Sequence, residues 1–346
     1  MTLVMREVDV HGEKERLAPF LRDHLPAHRN THYYDWLYLR NPFGRGRAWV
    51  ALEEGTTEIV GAAAAFPRLT HVNGQPTTCW NLGDFAILPE YRSLGPAVQL
   101  QRCCLREVLD GGIPFAYDHP SCNMMAVYRW MKIMPTGEVV RYARPLRVDG
   151  QVEKILGKGA LSRGVSGVGN LALSIAGRRA STASPINAAA LTGRFDDRVD
   201  ALDHRLSAQG IVAGARTADY LNWRYLDNPL GDHDVFIVEE DEMIRGYIVV
   251  RREDETATVT DFMAEPESSV TDALLSRTID SVRGTSIRTL SVPVLQNSAL
   301  VPTLEGWGFQ PRESRPFVVS TQHGGPLDGT VNRAANWYHT DGDRDV

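Results

Sequence analysis

One ten-residue pattern occurs twice in this sequence, far apart along the chain. Residues 35–44, Asp-Trp-Leu-Tyr-Leu-Arg-Asn-Pro-Phe-Gly, return as residues 222–231, Asn-Trp-Arg-Tyr-Leu-Asp-Asn-Pro-Leu-Gly. Further on, Asp84-Phe85 returns as Asp261-Phe262, and the separation between equivalent residues shrinks slowly. Two copies of one domain, the second with shorter loops, would give this pattern, so the sequence predicts a tandem duplication.

Bulk properties narrow the class of protein. The 346 residues are enough for two domains with separate cores, and 43% hydrophobic with 23% charged residues is ordinary for a globular protein. The net charge of −6 leaves no overall basic field, so we expect no nucleic-acid partner. The sequence shows no bilayer-spanning apolar run, no secretory signal and no zinc-type cysteine spacing. We therefore expect a cytoplasmic protein without a membrane segment or a metal.

Composition also indicates the domain boundaries. Residues 150–195 are rich in glycine, serine and alanine, which is typical of a connector. We expect an N-terminal domain at 1–149, a C-terminal domain at 196–325 and a C-terminal tail at 326–346. Apolar strands alternate with amphipathic helices, so we predict an α/β fold with a mixed sheet in each domain.

A strand, a short turn and a helix in the first half predict an anion site. The apolar strand ends at Leu88, the turn carries Arg92 and Gly95, and an amphipathic helix follows from about Ala97. The first N–H groups of a helix have no partner within it and lie at its positive end. Gly95 lets the backbone approach a phosphate closely, and Arg92 adds a charged donor.

At these residues the chain resembles the GNAT acyltransferase superfamily. That family has an Arg/Gln-x-x-Gly-x-Gly/Ala turn after its fourth strand, which Arg92, Gly95 and Ala97 match. The resemblance implies acetyl-CoA as co-substrate, with its pyrophosphate in the turn. It also implies that Tyr128 protonates the departing thiolate. The cofactor-binding residues that it implies are Ile87, Leu88, Arg92, Ser93, Leu94, Gly95, Pro96, Ala97 and Asn123.

Two residues compete for the role of general base. Asp84 lies in the fourth strand, near where many members of the family carry a glutamate, but its recurrence as Asp261 favours a structural role. His119 follows the fifth strand, and an imidazole titrates near neutral pH. Asp118 is placed to orient it. The sequence leaves the choice between Asp84 and His119 open.

The second copy differs at the turn. Residues 267–273, Glu-Ser-Ser-Val-Thr-Asp-Ala, contain neither glycine nor arginine, and Asp272 adds negative charge where a phosphate would bind. We therefore expect two tandem GNAT-like domains, of which only the first binds acyl-CoA.

The function predicted from these residues is transfer of an acyl group from acyl-CoA, here acetyl-CoA, to a small-molecule amine. A second hypothesis is a non-catalytic binding or scaffold protein, which Pro96 favours because proline has no N–H to offer a phosphate. A third is an acyltransferase with another donor, an acyl carrier protein or an aminoacyl-tRNA. The acidic net charge argues against tRNA. Nothing in the sequence identifies the amine.

Overall fold

The computed structural model describes residues 2–147, 186–207 and 212–344. The chain divides into two compact units that alternate along the sequence. Unit 1 comprises Met1–Val139, Ser207–Gly231 and Arg315–Val346, and unit 2 comprises Val140–Leu206 and Asp232–Ser314. These units are discontinuous, whereas the expected domains are contiguous, and the expected boundaries stay a prediction. Most of the expected connector lies outside the described residues.

The first part of unit 1 is a sheet with helices on it. Its elements are β1 (Leu3–Val8), α1 (Lys14–His24), β2 (Arg47–Glu53), β3 (Ile59–Val72), β4 (Gln75–Ile87), α2 (Leu94–Leu109), β5 (Phe115–Asp118) and α3 (Cys122–Trp130). The strands pair in chain order, antiparallel from β1 to β4, and β5 then runs parallel to β4. A 3₁₀ turn at Pro26–Arg29 and a π-helical turn at Asp35–Leu39 connect α1 to β2.

Local sequence explains two of the boundaries. Asn73 and Gly74 close the β3–β4 hairpin with φ values of 52° and 76°, as an Asn-Gly hairpin turn requires. The Ser121 side chain accepts the Met124 N–H at 3.2 Å and caps α3. Asn-Gly is typical of a hairpin turn and serine of a helix N-cap, so both features follow from the residue types at these positions. The turn sets where β4 begins, and the cap sets where α3 begins.

The core of unit 1 places α2 over the sheet. Leu100, Cys104 and Val108, three positions of its predicted apolar face, are at most 1% exposed. They pack in one cluster with Trp80 and Leu82 of β4. This packing holds the start of α2 close to the end of β4.

Within the described residues, unit 2 contains most of the remaining strands and three helices. Its elements are β6 (Gly137–Pro145, which begins in unit 1), β7 (Ala188–Ala190), α4 (Asp197–Ser207), β9 (His233–Glu240), β10 (Met243–Glu253), β11 (Thr256–Ala264), α6 (Ser268–Val282), β12 (Thr289–Leu295) and α7 (Val301–Gly306). Strand β7 lies inside the segment that was expected to be a connector. The order of a π-helical turn at Asn222–Leu226, three antiparallel strands, a helix, a parallel strand and a helix repeats that of unit 1. Common origin by duplication stays a prediction.

The C-terminal part of the chain returns to unit 1. It contributes β8 (Val212–Gly214), α5 (Ala218–Leu221), the end of β13 (Gln310–Thr321), α8 (Asp328–Val331) and β14 (Trp337–Tyr338). Val318–Thr321 pairs antiparallel with β5, β14 pairs with β8, and β8 pairs with β3. Trp337 and Val331 are buried. The segment expected as a tail is therefore part of the core.

Candidate active site

Strands β4 and β5 separate after a short parallel contact. They pair at Trp80–Ala116 and Asn81–Tyr117, and β4 continues to Ile87 without further pairing to β5 among the described residues. The gap that opens between two parallel strands exposes backbone polar groups to a ligand. Such a gap is a favourable place for an extended molecule that hydrogen-bonds along the strand edge.

A bulge lies in β4 beside this gap. Ala62 pairs with Ala86 but Ala64 pairs with Gly83, so β4 carries one extra residue there. Asp84 sits in the bulge with a φ of 50°, a left-handed conformation that is uncommon outside glycine. Bulges and such backbone conformations recur next to active sites, where they redirect side chains.

A cavity of about 870 Å³ opens at the gap, within unit 1. Its volume is in the range of pockets that bind cofactors and drug-sized molecules. Its wall comes from the end of α1, the bulge in β4, the turn before α2, and the start of α3. Its lining residues include Asp84, Ile87, Arg92, Ser93, Leu94, Ala97, Gln101, Asp118, His119 and Asn123.

The turn before α2 is close to its prediction, except that the helix begins earlier. Helix α2 begins at Leu94 rather than near Ala97, so Gly95 and Pro96 lie in its first turn. A Cβ added to Gly95 would have no neighbour within 4 Å, so the space above it is open. The Arg92 Nε donates to the Ile87 carbonyl at 3.3 Å, which anchors the guanidinium beside the turn.

The structure separates the residues expected around the cofactor. Ile87, Arg92, Ser93, Leu94, Ala97 and Asn123 line the cavity. Leu88, Gly95 and Pro96 are not in its wall. The Leu88 N–H donates to the Val60 carbonyl at 2.9 Å, so it is not available to a cofactor. Gly95 and Pro96 follow the lining residue Leu94 directly.

Asp84 is held by two aromatic partners. Its Oδ2 accepts the Tyr38 hydroxyl at 2.8 Å and lies 2.7 Å from the His28 Nε2. Burial and then the neighbouring Asp84 charge raise the pKa of Tyr38 well above its usual value, so the hydroxyl stays a donor. Its counterpart Asp261 is 1% exposed and accepts the Tyr247 hydroxyl at 3.1 Å. Only Asp84 of the two combines a left-handed backbone with a place in the cavity wall.

Tyr128 lies behind the cavity wall. It is fully buried, its hydroxyl donates to Asp118 Oδ2 at 2.6 Å, and it accepts from Gln101 Nε2 at 3.0 Å. Gln101 and Asp118 line the cavity, and Tyr128 does not. Its role as the thiolate acid stays a prediction. Burial raises the pKa of Asp118 to about 6, against the opposing effect of the Tyr128 hydrogen bond.

His119 has a partner that the sequence did not indicate. Its Nε2 lies 2.7 Å from the Nε2 of His339, so one imidazole donates to the other. The expectation that Asp118 orients the His119 ring is wrong, because the Asp118 carboxylate accepts the Tyr128 hydroxyl. Burial, and then the proximity of His339, lower the pKa of His119 well below its usual value. The pair is therefore neutral near pH 7.

Two buried arginines hold the His339 segment in place. Asp343 Oδ1 lies 3.1 Å from Arg68 Nη2, and its Oδ2 lies 2.7 Å from Arg216 Nη2. The Asn81 side chain donates to the Asp343 carbonyl at 3.2 Å. Burial alone would raise the pKa of Asp343, but Arg216, His339 and Arg68 hold it well below its usual value. We call Asp343, Arg68 and Arg216 the C-terminal clamp.

The described ranges contain neither a metal-binding cluster nor a membrane-spanning helix. No group of three or more His, Cys, Asp or Glu side chains there is arranged to hold a metal ion. No helix in the same part of the chain has the length and apolar character needed to cross a bilayer. The cysteine Cys122 is exposed at the start of α3 and does not line the cavity.

The architecture and the cavity define a GNAT-type fold, with a parallel strand pair that opens at a bulge and a helix start beside it. Residues 20–131 match the family model described as an acetyltransferase (GNAT) domain. This stretch contains the bulge, the turn and α3. A comparison with curated proteins found no match.

Solved structures share the fold over most of the chain. A probable N-acyltransferase from Enterococcus faecalis V583 aligns with a TM-score of 0.64 at 13% identity, over 92% of this chain and 72% of that one. A GCN5-related N-acetyltransferase from Anabaena variabilis aligns equally well at 14% identity, with the same coverage. Eis1 from Mycobacterium abscessus aligns with a TM-score of 0.56 at 16% identity, over 92% of this chain and 73% of that one. At these identities the likeness concerns the fold.

Proposed function

We propose that the chain transfers an acetyl group from acetyl-CoA to the amine of a small molecule. The observation that carries the proposal is the cavity in unit 1, which joins the opened edge of β4 to the turn at Arg92–Leu94. One long ligand can then place a phosphate at the helix start and a thioester beside the strand. The matched GNAT domain covers both ends of this cavity.

The phosphate end combines three favourable features. Leu94 and Gly95 begin α2 at its positive end, and Arg92 lies two residues before the helix, next to its N-cap Ser93. The open space over Gly95 admits a ligand that approaches the backbone. Pro96 has no backbone N–H, so this helix start offers a phosphate one donor fewer than a turn with another residue at that position. That loss leaves the Arg92 guanidinium as the main charged contact for pyrophosphate.

The acceptor end is acidic. Asp84 and Asp118 both contribute to the wall near the point where β4 and β5 separate. Carboxylates there attract an ammonium ion and can take its proton, whereas a carboxylate or phosphate acceptor would be repelled. In this proposal a backbone N–H of β4 beside Ile87 donates to the developing oxyanion of the thioester. These features favour an amine as the acceptor.

The second copy supports a single cofactor site per chain. Helix α6 begins after Glu267, whose carboxylate accepts the Ser269 hydroxyl at 2.8 Å. Asp272, the fifth residue of this helix, accepts the Trp307 indole N–H at 2.7 Å. A carboxylate at the N-cap and another one turn further on disfavour a pyrophosphate. A cytoplasmic location, in which acetyl-CoA is available, remains part of the proposal.

The proposal is tested by turnover. Purified protein is incubated with acetyl-CoA and one primary amine at a time, and release of the thiol is followed. The amines are aminosugars, amino acids, polyamines and a lysine peptide. We expect amine-dependent release with at least one class. Release with none of them, in a protein that binds acetyl-CoA, would contradict the catalytic proposal and favour a binding or scaffold protein. Failure to bind acetyl-CoA would favour a carrier-protein donor.

A further inference from the structure

Asp118 occupies the point at which the two strands part. It is the last residue of β5, one position beyond the final β4–β5 pair at Tyr117, and it is half-buried in the cavity wall. The Tyr128 hydroxyl binds its Oδ2 at 2.6 Å, and Gln101 binds that hydroxyl in turn. A carboxylate held from behind by a fully buried tyrosine has a fixed position beside the ligand.

The other candidates for proton transfer are less well placed. Tyr128 is one hydrogen bond behind the wall. Asp84 already receives the Tyr38 hydroxyl and the His28 ring on a single oxygen. The Nε2 of His119 is occupied by His339. Asp118 has one oxygen bound to Tyr128 and borders the same cavity.

We propose that Asp118 is the general base that takes the proton of the acceptor amine, and that Tyr128 and Gln101 are positioning residues for it. This inference rests on the proposed function, since it concerns the same acyl transfer. It gives Tyr128 a different role from the thiolate acid that the family resemblance implies. It also assigns a function to a residue that the sequence suggested only as a partner of His119.

In the proposed step one proton moves from the amine to the thiolate sulfur by way of the Asp118 carboxylate. The amine enters as the free base, having released its first proton to solvent. Its nitrogen lone pair forms a C–N bond with the thioester carbonyl, and the surplus N–H proton passes to the Asp118 carboxylate. The C–S bond then breaks with its electron pair on sulfur. The proton moves from the Asp118 carboxyl to sulfur, which leaves amide, thiol and an ionised Asp118.

The surroundings of Asp118 suit this exchange. The groups around it are Tyr128 on α3, the Cys104 thiol on α2, the neutral His119 imidazole beside it and Arg344 from the C-terminal segment. Burial raises the pKa of Asp118 to about 6, and the Tyr128 hydroxyl, the His119 backbone N–H and then Arg344 act to lower it. Asp118 is then ionised at neutral pH while its basicity approaches the working pH, as efficient general bases require. Since the ionised form is active, the rate should rise as pH increases through about 6.

The test compares two isosteric substitutions in the same cavity. With acetyl-CoA and the amine that gives the fastest thiol release in the panel, Asp118→Asn should lower kcat by ~100-fold or more and abolish the rise near pH 6. Its acetyl-CoA affinity, measured by calorimetry, should stay within about twofold of wild type, because the cofactor does not depend on the base. Asp84→Asn removes the other carboxylate of the acceptor end; it should weaken amine binding and raise KM but retain the rise near pH 6. Tyr128→Phe should move the midpoint to higher pH, because the lost hydrogen bond lowered the Asp118 pKa.

The outcomes separate the inference from the function beneath it. Wild-type turnover that persists in Asp118→Asn with its pH dependence intact would overturn the inference and leave the acetyltransferase proposal standing. Loss of the pH-dependent step in Asp84→Asn alone would transfer the role to Asp84 and also overturn it. A wild type that turns over no amine would overturn both. An unchanged midpoint in Tyr128→Phe would refute the positioning role of Tyr128.

Discussion

Trp36 and Trp223 bind each other reciprocally in unit 1. The indole N–H of Trp36 donates to the Trp223 carbonyl at 2.8 Å, and the indole N–H of Trp223 donates to the Trp36 carbonyl at 3.1 Å. The rings stack with centroids 4.5 Å apart and planes inclined by 15°. These residues hold the same position in the two copies of the repeated pattern. The repeat therefore contributes a symmetric contact to the core of unit 1.

This contact predicts strong coupling between the two indoles. Trp36→Ala or Trp223→Ala should each lower the free energy of unfolding by about 3–5 kcal/mol, since each removes a buried aromatic side chain and leaves a carbonyl unpaired. A double-mutant cycle by chemical denaturation should give a coupling of about 0.5–1.5 kcal/mol or more, because either single change already removes the stack. Trp130→Ala, at a 54% exposed residue, is the control and should change stability little. Strictly additive effects of the two substitutions would contradict this account.

The C-terminal clamp predicts a large effect from a conservative substitution. Asp343→Asn keeps the shape of the side chain but removes the negative charge that the buried Arg68 and Arg216 side chains both contact. The free energy of unfolding should fall by about 3–5 kcal/mol. Glu313→Gln removes a 57% exposed carboxylate from its ion pair with Arg141 and should cost at most about 1 kcal/mol. If both variants unfold at the same denaturant concentration as wild type, the clamp does not stabilise the fold.

The histidine pair predicts a loss of stability in mild acid. Burial lowers the pKa of His339 from 6.5 to about 4, and that of His119 is also lowered, so the unfolded chain binds protons that the folded chain excludes. The stability from this effect is present above pH 6.5 and is lost as pH falls towards 4. Asp118, whose pKa is raised to about 6, opposes it in part, because its contribution is largest at low pH and is lost as pH rises.

The measurement is the slope of unfolding free energy against pH. His339→Gln should reduce the slope between about pH 4.5 and 6 by up to about 1.4 kcal/mol per pH unit, the value for one proton. His323→Gln, at a fully exposed histidine, should leave the slope unchanged. Equal slopes for wild type and His339→Gln would show that His339 is not excluded from protonation in the folded state.

Much of the fold follows from local patterns in the sequence. The Asn73-Gly74 turn, the Ser121 cap and the apolar face of α2 depend on neighbouring residues, so they could be predicted. The aromatic-rich residues Asp35–Leu39 form a π-helical turn, whose apolar spacing differs little from that of an α-helix, so the sequence pattern does not distinguish the two.

The surroundings of the site depend on contacts that no local pattern records. His119 meets His339, and Arg68 meets Asp343, across most of the length of the chain. A polar C-terminal segment with charged residues is typical of a solvated tail, so its burial was missed. The orientation of Tyr128 was missed for a different reason. Its position on α3 was right, but the Asp118 carboxylate at the end of β5 binds its hydroxyl.

The most direct test of the central claim is calorimetric titration of the purified protein with acetyl-CoA, repeated on Gly95→Glu. A Cβ at Gly95 would have no protein atom within 4 Å, so we expect Gly95→Glu to leave the fold intact and its carboxylate to repel the pyrophosphate. Gly329→Glu, at another glycine with open space around it, is the matched control. We predict one site per chain in wild type and in Gly329→Glu, and none in Gly95→Glu. Two sites, or unchanged binding in Gly95→Glu, would contradict a single cofactor site at the start of α2.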